Sequence, residues 1–213
     1  MNTEQIAGIA IPDTVLVRDA TALIRDTTNE LIFDHSRRVF LFGSLQADAL
    51  GIRPDAELLY IAALFHDTGL VAPYRSKAER FEVDGADAAR SFLSAHGISG
   101  DAADTVWTAI ALHTTPGIPY RMDPVIAATT AGVETDVLGL HLGAIPAARR
   151  DEVVAAHPRP DFKRRILRAF NDGFADRPDS TFGTVNADVL AHFDPGFART
   201  DFVRVIQDSA WTD

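Results

Sequence analysis

His66 and Asp67 stand side by side where the chain is most apolar, closing the run Ile61-Ala62-Ala63-Leu64-Phe65. The stretch Leu58 to Phe65 is apolar on every face, so a helix built from it lies inside the protein. An imidazole and a carboxylate at the end of such a helix cost free energy to bury without partners. A divalent cation satisfies both, because it accepts a neutral imidazole nitrogen and an ionised oxygen together. His35 upstream and Asp136 downstream supply further donors of the same kinds. Two neutral histidines and two carboxylates carry a formal charge of -2, which matches a divalent cation. Water completing the shell leaves the open position that catalysis requires.

Adjacent helical residues point ~100° apart, so His66 and Asp67 reach one ion only if it sits off the helix end. His35 comes from the preceding, antiparallel helix. Asp136 falls on the stripe Val125, Thr129, Gly132, Asp136, Leu140, which points inward. Gly132, one turn before it, allows another helix or the metal site to approach closely. His113 continues the stripe Val106, Ile110 to the end of its own helix, as a further ligand or as a proton carrier and substrate anchor. Glu82 and Asp84 begin the helix between these segments. They are read as acceptors beside the site or ligands of a second metal, or simply as helix-start acids favoured by the macrodipole. His96, His141, His157 and His192 are assigned no function.

The elements that position these groups are helical. Helices are expected over 13–25, over 35–50 with Gly51 as the stop, and from Pro54-Asp55-Ala56-Glu57 into the buried run. Further helices are expected over 84–96, stopped by Gly97 as a left-handed cap, over 101–113, and from Asp123-Pro124 to about Leu140. Shorter ones follow over 147–156, 161–174, 186–192 and 200–210. Alternating strand patterns are absent, and the fold is expected to be all-α. One domain over 1–213 is expected, with a metal-site core at about 30–141 and the C-terminal helices of 147–210 packing on it. The polar stretch Ala72 to Arg80 is expected as a loop at the mouth of the site, and Asp176 to Val185 as a second long loop.

Composition narrows the function classes. At 213 residues with 46% hydrophobic and 23% charged residues, the chain suits one substantial soluble core. A net charge of -10 argues against duplex nucleic acid and gives no reason to expect an anionic membrane surface. With no cysteine there are no disulfides, thiolate metal sites or cysteine nucleophiles. No signal-like or membrane-length apolar segment is seen, so a cytoplasmic setting and a small-molecule substrate are expected. Helical enzymes of this size often form homo-oligomers, but no seam in the sequence decides the matter.

With His35, His66-Asp67 and Asp136 in this order on successive expected helices, the chain resembles the HD-domain metalloenzyme superfamily. The segments Phe33-Asp34-His35-Ser36-Arg37-Arg38-Val39, Ala63–Gly69, Arg80-Phe81-Glu82-Val83-Asp84-Gly85-Ala86 and Ala109–Ile118 look like its cyanamide hydratase group. Ala131–Gly139 is similar to that group's final-ligand helix. The match spans roughly residues 10 to 200. It implies the all-α HD fold and a zinc enzyme, with Fe2+ or Mn2+ as alternatives, that adds water across the nitrile of cyanamide to give urea. His35, His66, Asp67 and Asp136 would be the ligands. A zinc ion lowers the pKa of its water to about 7, which agrees with attack on a nitrile carbon at neutral pH. Asp67 and His113 would be catalytic, His113 delivering the proton that the nitrogen must gain. Thr114, Thr115, Glu82 and Asp84 would meet the substrate. Phe33, Phe65, Leu70, Phe81 and Ile118 would wall a small pocket.

Three rivals stand beside this reading. A phosphohydrolase would need Arg37, Arg38, Arg75, Lys77 and Arg80 around a phosphate, and Leu70 stands where the nucleotidase branch usually has an acid. A di-iron oxygenase needs more histidines than the single His96 between Asp67 and His113. A metal-bearing sensor would keep the site without turnover.

Overall fold

The computed structural model describes residues 4–211. Among the described residues ten α-helices follow a hairpin of two antiparallel two-residue strands, β1 (Gln5–Ile6) and β2 (Ile9–Ala10), so the fold is all-α but for this minimal sheet. The helices are α1 (Val15–Thr27), α2 (Glu30–Leu50), α3 (Ala56–Phe65), α4 (Phe81–Ala95), α5 (Asp101–Ala111) and α6 (Pro124–Val133). After them come α7 (Ala147–Ala156), α8 (Phe162–Phe174), α9 (Asn186–Phe193) and α10 (Phe202–Gln207). Among the described residues no helix is long and apolar enough to cross a membrane.

Capping side chains set the starts. Thr14 accepts from the Val17 amide, Asn29 from Ile32, and Asp55 from both Glu57 and Leu58, each satisfying an amide that the first turn leaves orphaned. The Asn29 cap starts α2 five residues earlier than the sequence leads one to expect, which puts His35 inside the helix rather than at its beginning. Gly51 ends α2 in the left-handed region at φ +68.

α3 is the centre of the molecule. Every residue from Leu59 to Phe65 is fully buried, against α1, α2, α4, α5 and α6. Burial of each large apolar side chain contributes roughly 1.5–3 kcal/mol, which holds α3 and the pair at its end in place. α2 packs extensively on α6, and two glycines make the contact close. A Cβ built on Gly132 would meet the Val39 carbonyl oxygen at 2.2 Å, and one on Gly43 would meet that of Ala128 at 2.5 Å. The close approach expected at Gly132 is therefore that of a helix backbone.

The sixth helix does not run to Leu140. At Glu134–Leu138 the chain widens into a π turn, which Gly139 ends at φ +71. Expectation and structure differ again at the far end, where α10 covers only 202–207 and is exposed throughout. The preceding helices α8 and α9 do bury apolar side chains. Phe162, Ile166, Phe174 and Leu190 form a second apolar cluster with Leu31, Ile32, Leu70 and Phe81.

Because backbone rather than a flexible side chain fills the space at Gly132, Gly132→Ala is expected to push α2 and α6 apart. Urea unfolding should show a loss of about 1–3 kcal/mol. An unchanged midpoint would mean that the contact is looser than described.

Candidate metal centre

Three elements bring the candidate ligands together. α2 carries His35, the C-terminal end of α3 carries His66 and Asp67, and the turn after α5 carries His113. His35 and His66 are fully buried, and Asp67 and His113 are 1% and 2% exposed. His35 Nε2 lies 3.1 Å from His66 Nε2. Asp67 Oδ2 is 3.3 Å from His66 Nε2 and 3.5 Å from His35 Nε2. One ligand atom from each of His35, His66 and Asp67 lies within 4.8 Å of the others, a group able to hold a metal ion. His113 Nε2 stands beside them, 3.6 Å from Asp67 Oδ1.

The outer nitrogen of every ring is occupied. His66 Nδ1 faces the Ala63 carbonyl at 2.8 Å, and His113 Nδ1 faces that of Ile110 at 2.6 Å. His35 Nδ1 faces Asp136 Oδ2 at 2.7 Å. Each acceptor takes an N–H, so the neutral tautomer at all three rings puts the proton on Nδ1 and turns the Nε2 lone pair inward. Neither Asp67 oxygen receives a well-formed hydrogen bond. Lone pairs and a carboxylate converging in a buried space repel one another, and a positive charge among them is the remedy.

The protonation equilibria follow that pattern. Burial opposes charge on His66, yet Asp67 outweighs it and raises the imidazole pKa. Burial likewise opposes ionisation of Asp67, but His66, His113 and His35 hold it well below the usual carboxylate range. Burial dominates at His35 and lowers its pKa despite Asp136. The cluster is thus an anionic hole that takes either a proton or a cation. The unpartnered Asp67 oxygens and the imidazole–carboxylate donor set fit a divalent metal.

Asp136 is not among the group. Its carboxylate sits on the outer side of the His35 ring, where Arg38 Nε donates to both oxygens at 2.9 and 3.0 Å and Arg159 Nε donates to Oδ1 at 2.9 Å. The expectation of Asp136 as a direct ligand is corrected to one of orienting His35, because the π turn places it behind the ring. These partners hold the Asp136 carboxyl far below its usual range against the effect of burial.

Asp84 is also corrected. Its Oδ2 accepts from the Ser76 amide and from buried Arg177 Nη1. Arg177 donates further to the carbonyls of Gly69, Gly173, Ser76 and Glu79. This commits Asp84 Oδ2 to fastening the loop of 71–80 rather than to the metal-binding group.

Glu82 does reach the site region. Its Oε1 accepts from Thr114 at 2.6 Å, Asn186 at 3.1 Å and Arg80 at 3.3 Å, while Oε2 is buried without a partner. Burial works against its charge, but His113, Arg80 and Thr114 lower its pKa, so it is ionised. Thr115 makes no side-chain hydrogen bond to any of these groups among the described residues, its amide being spent on Leu112.

Sequence reasoning offered Arg38 only to a phosphate and missed other groups around the ligands. Arg38 lies one turn beyond His35 on the same helix face, a spacing that was there to be used. Phe162 packs its ring 5.3 Å from that of His35, and Arg38 and Arg159 stack on Phe162 at 4.9 and 4.5 Å. Nothing local in the sequence marks Arg159, Phe162, Arg177 or Asn186. Of the expected pocket walls, Leu70 and Phe81 are buried with Phe81 5.5 Å from His113, whereas Ile118 is 57% exposed.

Residues 32–154 match the family model described as the HD domain, a span that carries His35, His66, Asp67, His113 and Asp136. The chain belongs to the HD-domain family. No curated protein matches it.

Asp67→Ala removes a charge and a donor together and should abolish stoichiometric metal in elemental analysis of the purified protein. Chelation should lower the melting temperature of the wild type but not of that variant. Asp136→Asn should instead retain the metal with affinity weakened about 10–100-fold in chelator competition, as for a group that only orients a ligand. Full metal occupancy in Asp67→Ala would make the assignment wrong.

Proposed function

We propose that this HD-domain protein is a metal-dependent hydratase of a small nitrile, converting cyanamide to urea. The observation that carries the reading is the joint geometry of the convergent Nε2 atoms, the unpartnered Asp67 carboxylate and the unpartnered Glu82 oxygen. A divalent cation held by His35, His66 and Asp67 would lower the pKa of water to about 7 and supply a nucleophile at neutral pH.

The chain's own residues account for the rest of the addition. Addition of water forms one C–O bond, breaks one C–N π bond and puts one proton on the nitrogen, giving H2N–C(OH)=NH. Transfer of the O–H proton to that nitrogen then exchanges the second C–N π bond for C=O and gives urea. His113, whose Nε2 lies beside Asp67, is positioned to hold and deliver the first of these protons. Glu82 Oε2 is free to accept an amine N–H, while Thr114 and Asn186 lock the other oxygen and so fix the carboxylate's direction. Phe81, Leu70 and Phe162 exclude water around the rings. A substrate of three heavy atoms gains little from remote contacts, so selectivity has to come from a closed site with few polar groups.

The distribution of cations supports a neutral substrate over a phosphate ester. Arg38 is committed to Asp136, Arg37 to Tyr60 and His157, and Arg75 to Asp172 and Asp176. Arg80 alone of the expected phosphate-binding group lies against Glu82.

Urea release from cyanamide by metal-loaded protein should exceed phosphate release from any nucleoside monophosphate. His113→Ala should keep its metal yet lose about 10²–10⁴ in rate. Glu82→Gln, also with metal retained, should raise KM more than it lowers kcat, since its task is to accept a substrate N–H. A preference for phosphate esters would replace this reading with phosphohydrolysis, and turnover of neither class would favour a metal-bearing sensor.

A further inference from the structure

On the side of Asp136 away from His35, a cavity of about 320 Å³ opens between the π turn, α7 and α8. Three cations line it from separate segments: Arg150 on α7, Arg159 in the connection, and Lys163 on α8. The one carboxylate among its lining residues, Asp136, is already held by His35 and Arg38 as well as Arg159. Of the three cations, only Arg159 is in an ion pair among the described residues. Asp161, the acid nearest Lys163 in sequence, is taken by Arg164. Arg150 Nε is buried with no hydrogen-bond acceptor at all. A protein with a net charge of -10 thus lines this one cavity with three cations and a single carboxylate that His35 and Arg38 also share. The remaining wall is apolar, with Phe42, Val137 and Leu142 among its residues.

Two cations without an acidic partner beside a partly open cavity are what a multiply charged oxyanion requires. Guanidinium groups pair bidentately with phosphoryl oxygens, and a lysine adds a point charge. Apolar walls of this extent have no use for free phosphate and suit a group with a hydrocarbon or aromatic body. We infer that this cavity binds a phosphate-type dianion carried on a small apolar body, at a site separate from the metal centre. The imidazole of His35 and the Asp136 carboxylate stand between the two sites, so occupancy of one leaves the other open. The inference does not depend on the substrate proposed for the metal centre.

Phenylphosphonate is a suitable probe because its P–C bond resists hydrolysis, and inorganic phosphate is the comparison. Calorimetric titration of the full chain should show one phenylphosphonate bound per chain, with inorganic phosphate clearly weaker. Arg150→Gln and Lys163→Gln change residues that line the cavity and lie outside the metal-binding group, and should each weaken binding roughly tenfold or more. Asp67→Asn should leave binding unchanged. Equal binding by the Arg150→Gln/Lys163→Gln double variant would overturn the site, as would loss of binding in Asp67→Asn, which would move the probe to the metal centre. Absence of binding by the wild type would overturn it too. Inorganic phosphate binding as tightly as phenylphosphonate would remove the apolar half of the inference.

Discussion

The arrangement around Asp67 depends on where three imidazoles put their protons. His66 and His113 each face a carbonyl of their own helix three residues back, and His35 faces Asp136, so each ring presents its Nε2 lone pair to the same small volume. Adding the Asp67 carboxylate makes the volume strongly attractive to a cation and unfavourable without one. A site built this way is rigid before any ion arrives, because the outer contacts are made by backbone in two cases of three. Its affinity and its orientation therefore come from the same hydrogen bonds.

Holding these rings at that spacing is the task of the helix packing. His35 is inside α2, and α2 can approach α6 only because Gly43 and Gly132 meet backbone where other residues would carry Cβ. The same approach brings the π turn of 134–138 behind His35 and lets Asp136 reach its ring. Arg38 and Arg159 then neutralise Asp136, and both guanidinium groups rest on Phe162, which itself packs on His35. Removing any one member of this stack would leave a buried charge or a loose ring.

The segment beyond residue 154, outside the family match, closes the centre. Phe162 covers His35, Asn186 fixes Glu82, and Arg177 ties together the carbonyls on either side of the loop that follows the His-Asp pair. The loop was expected at the mouth of the site. Arg177 accounts for its being held by a buried, fully engaged guanidinium rather than left as an open lid. The closed character of the centre thus belongs to contacts between the family-matched core and the segment that follows it.

Much of the fold was legible because burial and capping are local. The unbroken apolar run of α3 declared its own interior position, the stops at Gly51 and Gly97 were readable, and the His-Asp pair at the end of that run pointed to a cation. What the sequence determined by itself is therefore the all-α class, the buried helix and the chemistry its end requires. The tertiary structure decided which carboxylates stay available. Asp136 and Asp84 read from sequence as site groups, yet Arg38, Arg159 and Arg177 claim them, Arg177 from 93 residues away along the chain. Glu82 was kept partly free only because Asn186 and Thr114 occupy one of its two oxygens. Such pairings leave no periodic trace, since a long-range ion pair depends on where helices meet and not on the spacing within any one of them.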